Sequence, residues 1–280
     1  MTALHRTRAF LRSYAFLPHR LLNRGTALVT AARRPAWAVD RAVRAWVERE
    51  GIDLSEFEDR RFESLDDFFL RRLATGARPL GDGFVAPADG NLIASGRIDL
   101  ARPLVVKGQR LSVDRVVNGR VHDLDLAAYQ GGTYAVIFLT PRGYHRVHMP
   151  VAGTLESVRW IPGRYFPQNE DALDVIPRVY ERNERATLSC RDGEGRPFLL
   201  VMVGASLIGG IHLEGVARRE WMRTREVRLD RRLAQGDEIG HFAFGSTVVV
   251  LLPWSAEVRE RATVRMGETL TERPGRPIDV

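Results

Sequence analysis

The sequence predicts an α+β protein in which N-terminal amphipathic helices sit on a mainly antiparallel β core. Two observations carry that expectation. Before residue 84, apolar residues recur at helical spacing. After it, short β-branched and aromatic runs alternate with Gly, Pro and Asp, and long helical periodicity stops. An apolar content of 44% over 280 residues is enough for a sizeable core.

Each element follows from its residues. Between positions 37 and 49, Val39, Val43, Trp46 and Val47 fall on one helical face, with Asp40, Arg41, Arg44 and Glu48 on the other. Ser64 then offers a cap, Asp67 stands three residues on, and Leu65, Phe68, Phe69 and Leu73 form one apolar stripe. Pro79 and Gly81 close that region. The strand signals are "TYAVIFLT" (133–140), "PFLLVMVGA" (197–205) and "STVVVLLP" (246–253). The stretch "GDEIGHFAFGS" reads as a hairpin with Gly236-Asp237 at its turn. Residues 162–185, rich in Pro, Asn and charge, read as a long loop of the kind that carries function. The change of texture divides the chain into a basic helical segment, 1–63, and a β-rich domain, 64–280.

Charge is unevenly spread. Residues 1–46 hold nine arginines and one acid, a net +8, which leaves −1 for residues 47–280 of the overall +7. A basic groove for nucleic acid across the main domain is therefore not expected. The single cysteine, Cys190, excludes an internal disulfide and a cysteine-only metal site, and fits a reducing compartment. No apolar run approaches the roughly 18 residues that span a bilayer. The basic N-terminal segment interleaves Phe10, Leu11, Tyr14, Phe16, Leu17, Leu21, Leu22, Trp37 and Trp46. That composition suits a helix lying in a membrane interface, and equally a helix packed on the protein itself.

Four stretches can carry chemistry. In "APADGNL" (86–92) Asp89 is the one ionisable side chain of a turn. In "TPRGYHRVHMPVAG" (140–153) His145 and His148 stand three apart, on opposite faces of a strand but able to converge at a bulge. No matching third or fourth metal ligand accompanies them, so no metal site is expected. Small residues line up at Gly204, Ala205, Ser206, Gly209 and Gly210, shortly after "YERNERATL" (180–188). Finally, Ser246 follows Gly245 at the lip of a strand that reads as buried. The pattern is not a G-x-S-x-G elbow. It puts a hydroxyl beside the least hindered carbonyl a chain can offer, which suits attack by Ser246 on its own upstream peptide bond. Such attack needs a base, usually a histidine oriented by a carboxylate. Asp89 and His148 supply that pair if the fold brings them together.

"PADG", "YHRVHMPVAG", "ERNER", "VGAS" and "FGST" occur in the order found in phosphatidylserine decarboxylases, and "FFLRRLATGARPL" (68–80) resembles the stretch that precedes them. The resemblance runs from about residue 64 to about residue 253. It implies a self-cleaving proenzyme. Ser246 attacks the Gly245 carbonyl, the ester undergoes β-elimination, and residue 246 ends as an N-terminal pyruvoyl group. A β chain, 1–245, and an α chain beginning at 246 result. Asp89 would orient His148 as the base for cleavage, and His145 would serve decarboxylation. The pyruvoyl cofactor would take the substrate amine as a Schiff base and accept the electrons released with CO₂. The implied reaction converts phosphatidylserine to phosphatidylethanolamine at an anionic membrane surface. The implied location is peripheral, on the cytoplasmic face of a bacterial cell membrane, and a homodimer is left open. Three positions depart from the family pattern: Phe244 before the Gly-Ser-Thr, Gly143 before the Tyr-His-Arg, and Leu111 in "KGQRLS".

Other readings stay open on the residues alone. A soluble pyruvoyl decarboxylase of small amino acids shares the chemistry, but the basic aromatic N-terminus speaks against it. A serine hydrolase would use Ser246, His148 and Asp89 without splitting the chain. A membrane-binding β protein without enzymatic activity would carry no covalent carbonyl.

Overall fold

The structure, a computed structural model, describes residues 19–118, 124–206, 210–217, 226–243, 246–258 and 262–272. The helices are α1 (His19–Thr30), α2 (Ala36–Glu50), α3 (Leu65–Phe69), α4 (Val113–Val117), α5 (Glu170–Val175) and α6 (Val179–Arg182). The strands are β1 (Phe84–Val85), β2 (Gly90–Arg97), β3 (Leu104–Val106), β4 (Gln109–Leu111), β5 (Thr133–Leu139), β6 (Arg146–His148), β7 (Gly153–Ile161) and β8 (Arg185–Asp192), followed by β9 (Pro197–Gly204), β10 (Ile211–Leu213), β11 (Glu226–Leu233), β12 (Glu238–Phe242), β13 (Ser246–Leu252), β14 (Thr263–Val264) and β15 (Thr269–Thr271). The expected α+β class, helices first and an antiparallel β core after, is what forms.

Eight strands make the main sheet, in the order β11-β7-β8-β9-β13-β5-β2-β14, every pair antiparallel. An antiparallel strand with one wet face alternates apolar and polar residues. The central strands β9 and β13 do not, because both faces of this sheet are covered. Val248, Val250 and Leu252 with Leu200 and Met202 enter one core, sealed by the small sheet β10-β12-β6 through Val147, Ile211, Ile239 and Phe242. Val249 and Leu251 with Leu199, Val201 and Val203 enter a second core. That core is sealed by the β3–β4 hairpin and by α4, α5 and α6 through Leu104, Val116, Leu173 and Tyr180. Leu111, one of the departures from the family pattern, is a buried member of this second core, so an aliphatic side chain fills its place.

Two sequence expectations change. Gly236 does sit in a turn with a positive φ, but the strands on either side of it do not form a hairpin. β11 pairs with β7 in the main sheet, whereas β12 pairs with β10 and β6 in the small one. The turn chemistry was legible, and the change of sheet at the corner was not. The 162–185 stretch is not all loop: Asn169 caps α5 through its side chain, and α6 follows. The apolar face expected of α2 packs on the protein itself. Val39 and Val43 are buried with Phe68 of α3, and Trp46, Val47, Leu54 and Phe62 pack around them. Residues of the 1–63 segment therefore share a small core with the start of the 64–280 domain. Ser64 caps α3 as expected, its Oγ accepting from the Asp67 amide at 3.0 Å. Among the described residues no helix is long and apolar enough to cross a membrane.

Gly90, the last residue of the "PADG" turn, is required by a close approach. A Cβ there would lie 2.4 Å from the Phe138 carbonyl oxygen and 2.8 Å from Ile137 Cγ2, so β2 could not keep its place beside β5. Gly90→Ala is expected to destabilise the fold by about 1–3 kcal/mol through overpacking. A urea midpoint equal to that of the parent chain would show that the two strands are not packed this tightly.

Candidate active site

The motifs that lie far apart in sequence meet at one end of the main sheet. Ser246 begins β13 and stands opposite Leu139 of β5 on one side and Gly204 of β9 on the other. β2 lies beyond β5, with Asn91 opposite Phe138, so Asp89 and Gly90 reach the same end. β8 lies beyond β9, with Arg185 opposite Val203, and the Gly204 amide donates to the Glu184 carbonyl at 2.8 Å. The "PADG" turn is also tied to the histidine strand, because the His148 amide donates to the Pro87 carbonyl at 2.8 Å. Phe244, Gly245 and residues 207–209 lie outside the described residues, so the bond expected to break is known from its Ser246 side.

Ser246 is 0% exposed, and its Oγ has no hydrogen-bond partner among the described residues. An unsatisfied buried hydroxyl costs about 1–3 kcal/mol, so each such group calls for an explanation. Its flanks are tightly held. Thr247 Oγ1 donates to Gln168 Oε1 at 2.6 Å, and Gln168 Nε2 donates to the Gly204 carbonyl at 3.0 Å. Asn183 Nδ2 donates to the same carbonyl and to that of Phe166, both at 2.9 Å, while Asn183 Oδ1 accepts from the Phe166 amide. In the sequence Asn183 stands out only as part of "ERNER", and Gln168 carries no motif. Its one signal was a polar amide in a Pro- and Asn-rich segment.

The two histidines are held differently. His145 is 0% exposed and lies against the Phe69 ring at 4.1 Å between centroids. Its Nε2 bonds the Thr140 carbonyl at 2.9 Å. A carbonyl only accepts, so Nε2 carries the proton and Nδ1 keeps a lone pair, with no partner among the described residues. Thr140 follows Leu139, the residue opposite Ser246. His148 Nδ1 donates to the Gly236 carbonyl at 2.7 Å, so its Nε2 accepts from the Tyr144 hydroxyl at 2.9 Å. Burial pushes the His145 pKa down to about 3, and the Arg71 charge pushes the same way. Burial also holds His148 below its ordinary value.

The expected hydrogen bond between Asp89 and His148 does not form. Both imidazole nitrogens are engaged elsewhere. The Asp89 carboxylate takes both Nη atoms of Arg78 and the Met266 amide at 2.8 Å. A charged fork outcompetes a neutral imidazole for a carboxylate. The link is indirect: Arg78 also lies over the Tyr144 ring, 5.6 Å from its centroid, and Tyr144 bonds His148. Elsewhere, Glu214, Glu238 and His241 bring ligand atoms within 4.8 Å of one another. Glu238 is already paired with Arg146 and Arg72, which a cation would have to displace.

The chain matches the family model described as phosphatidylserine decarboxylase over residues 65–272. It is similar to curated proteins named phosphatidylserine decarboxylase proenzyme. That of Ectopseudomonas mendocina is 36% identical, over 94% of this chain and 97% of the relative. That of Bordetella pertussis is 38% identical over 93% of each, and that of Pseudomonas aeruginosa is 36% identical over 94% of this chain and 96% of the relative.

The buried neutral histidines fix the sign of a pH dependence. In the unfolded chain each titrates near its ordinary value of about 6.5. Below that pH the unfolded state binds protons that the folded state refuses, so stability falls as pH drops from about 6.5 towards the folded value of about 3 for His145. In urea titrations between pH 7.5 and 5, His145→Gln is expected to reduce this slope by up to ~1.4 kcal/mol per pH unit. An unchanged slope would mean that the imidazole is not buried in its neutral form.

Proposed function

Because the chain belongs to the phosphatidylserine decarboxylase family, a family of carboxy-lyases, we propose that it is a self-processing pyruvoyl enzyme that makes phosphatidylethanolamine and CO₂ from phosphatidylserine at a membrane surface. The observation that carries this reading is the buried, unpartnered Ser246 hydroxyl at the sheet end where Asp89, His145 and Gly204 also arrive.

In the processing step Ser246 Oγ attacks the Gly245 carbonyl carbon and gives its proton to a base. The C–N bond breaks and an ester replaces the amide. Loss of the Cα proton then expels the Gly245 carboxylate, leaving dehydroalanine at 246. Hydrolysis exchanges its nitrogen, as ammonia, for a ketone oxygen. That pyruvoyl ketone supplies an attachment point for the substrate amine and a sink for the electrons left by CO₂. The residues present fit the group, since its precursor is a serine whose side chain makes no competing bond among the described residues. Gln168, Thr247 and Asn183 brace the backbone on either side of it, so its position is set by the sheet rather than by a mobile loop.

Following the family pattern, His148 takes the Ser246 proton, positioned by Asp89 through Arg78 and Tyr144, and His145 handles the proton needed when CO₂ leaves. For His148 to act, the Tyr144 hydroxyl must release its Nε2. A specific observation favours the exchanged assignment as a second reading: His145 is the histidine with an open lone pair, anchored one residue beyond the strand partner of Ser246.

The membrane assignment rests on residues 1–63, with residues 64–280 as the catalytic part. Leu28, Val29 and Trp37 are 77%, 70% and 69% exposed and flank Arg33 and Arg34. Apolar side chains beside guanidinium groups suit the boundary between headgroups and acyl chains. The arginines add roughly 1 kcal/mol each near an anionic leaflet. The relatives named above come from bacteria, in keeping with the cytoplasmic face of a bacterial membrane.

Ser246→Ala is expected to give one full-length chain without decarboxylase activity. His148→Ala should also stay full length, whereas His145→Ala should split yet turn over at least about 100-fold more slowly, the lower range for a lost acid–base group. The reverse pattern on a denaturing gel would move the cleavage base to His145. Both variants fully processed and fully active would remove the histidines from the mechanism.

Replacing Leu28, Val29 and Trp37 together by serine is expected to weaken co-sedimentation with phosphatidylglycerol vesicles while self-cleavage proceeds. The electrostatic remainder should fade as salt approaches 1 M, where the Debye length is about 3 Å. Undiminished binding would assign the membrane contact to the β body.

A further inference from the structure

A cavity of about 270 Å³ lies beside the Asp89 end of the sheet; Asp89, Arg78 and Tyr144 share its wall, but neither histidine nor Ser246 lines it. The loop after α2, the end of α3 and the 140–144 turn contribute to its wall. Four arginines line it: Arg71, Arg78, Arg142 and Arg265. Two of them are neutralised. Arg78 pairs with Asp89 and Glu56, and Arg265 pairs with Glu56. Asp53, the remaining acid of the wall, accepts from the Ser55 amide at 2.8 Å.

The other two form no ion pair with a carboxylate among the described residues. Arg71 is 2% exposed, with its guanidinium over the rings of Phe57 and Phe68 at 4.5 and 5.2 Å. It donates only to the backbone carbonyls of Phe68, Arg142 and Gly143, and its buried Nε has no partner among the described residues. Arg142 is exposed at the mouth and forms no ion pair among the described residues. A buried charge without a counter-charge is costly, and proteins supply one from a side chain or a ligand. Burial draws the Arg71 pKa down to about 10, and the Asp89 carboxylate, itself paired with Arg78, only partly opposes it.

We infer that this cavity is a binding site for a phosphate group, held by Arg71 and Arg142 with Arg78 and Arg265 alongside. Guanidinium forks match the paired oxygens of phosphate, and several converging forks use more than the two oxygens of a carboxylate. The same chemistry is offered by free phosphate and by the phosphodiester of a lipid headgroup. The site stands on its own residues and does not depend on the decarboxylase reading.

Isothermal titration of the full chain tests it, with inorganic phosphate in one arm and dihexanoyl phosphatidylglycerol below its micelle concentration in the other. Chloride holds ionic strength constant in both. Binding is expected in at least one arm, and the arm that binds identifies the source. Arg142→Gln should weaken it at least about tenfold, the scale of a lost charged hydrogen bond. Arg102→Gln, an exposed arginine outside this cavity, should leave it unchanged. Arg71→Lys, which keeps the charge and removes the fork, should weaken it as well. If that variant does not fold, Arg142→Gln decides alone. Absence of binding in both arms overturns the inference, as does binding that Arg142→Gln leaves intact.

Discussion

Burial of β13 on both faces is the constraint on which the rest of the structure depends. Its seven residues are all buried, paired to β5 on one edge and β9 on the other. A one-residue slip would exchange the residues that enter the two cores. The register is therefore fixed by packing, and with it the position of Ser246, the first residue of the strand. Reactive geometry at a loop would wander. Here the Ser246 hydroxyl is placed by a strand buried along its whole length, and its neighbours across the ladder are Leu139, which leads to the histidine motif, and Gly204.

Around that fixed point the polar groups are arranged by competition. Arg78 captures Asp89, the Thr140 and Gly236 carbonyls set the tautomers of His145 and His148, and the Tyr144 hydroxyl occupies the remaining lone pair of His148. Each choice follows from donor and acceptor inventory: a carbonyl cannot donate, an arginine cannot accept, and burial keeps both imidazoles neutral. The result is one histidine with an open nitrogen and one whose nitrogen is covered by a neighbouring phenol. Under the proposed mechanism, a base that acts once and a proton carrier that acts at every turnover would have different needs, and this asymmetry offers two different environments.

Much of this was legible in the sequence, for particular reasons. The strands at 133–140, 197–205 and 246–253 announce themselves because burial on both faces makes them continuous apolar runs. The cap at Ser64 and the stripe of Phe68 and Phe69 announce α3. The arrival of Asp89 and the Thr140 anchor of His145 at the sheet end where Ser246 begins β13 was readable only through the order of the motifs, since no local spacing encodes which strands become neighbours. What stayed hidden was set by tertiary competition. Nothing in "PADG" says that Arg78 will take Asp89 before an imidazole can. Nothing around Gly236 says that the strands on its two sides go to different sheets. Gln168 had no pattern to mark it, because its role is to bridge Thr247 and Gly204, residues far from it in sequence.

The central claim is that the Gly245–Ser246 bond exists to be broken by its own serine. Intact-mass spectrometry of the purified wild-type chain under denaturing conditions, before and after borohydride reduction, tests it most directly. The account predicts two chains, 1–245 and 246–280, the second beginning with a reducible ketone where the serine amine stood and a methyl group where its hydroxymethyl stood. A single unprocessed 280-residue chain, or a second fragment that retains an ordinary N-terminal serine, would contradict it.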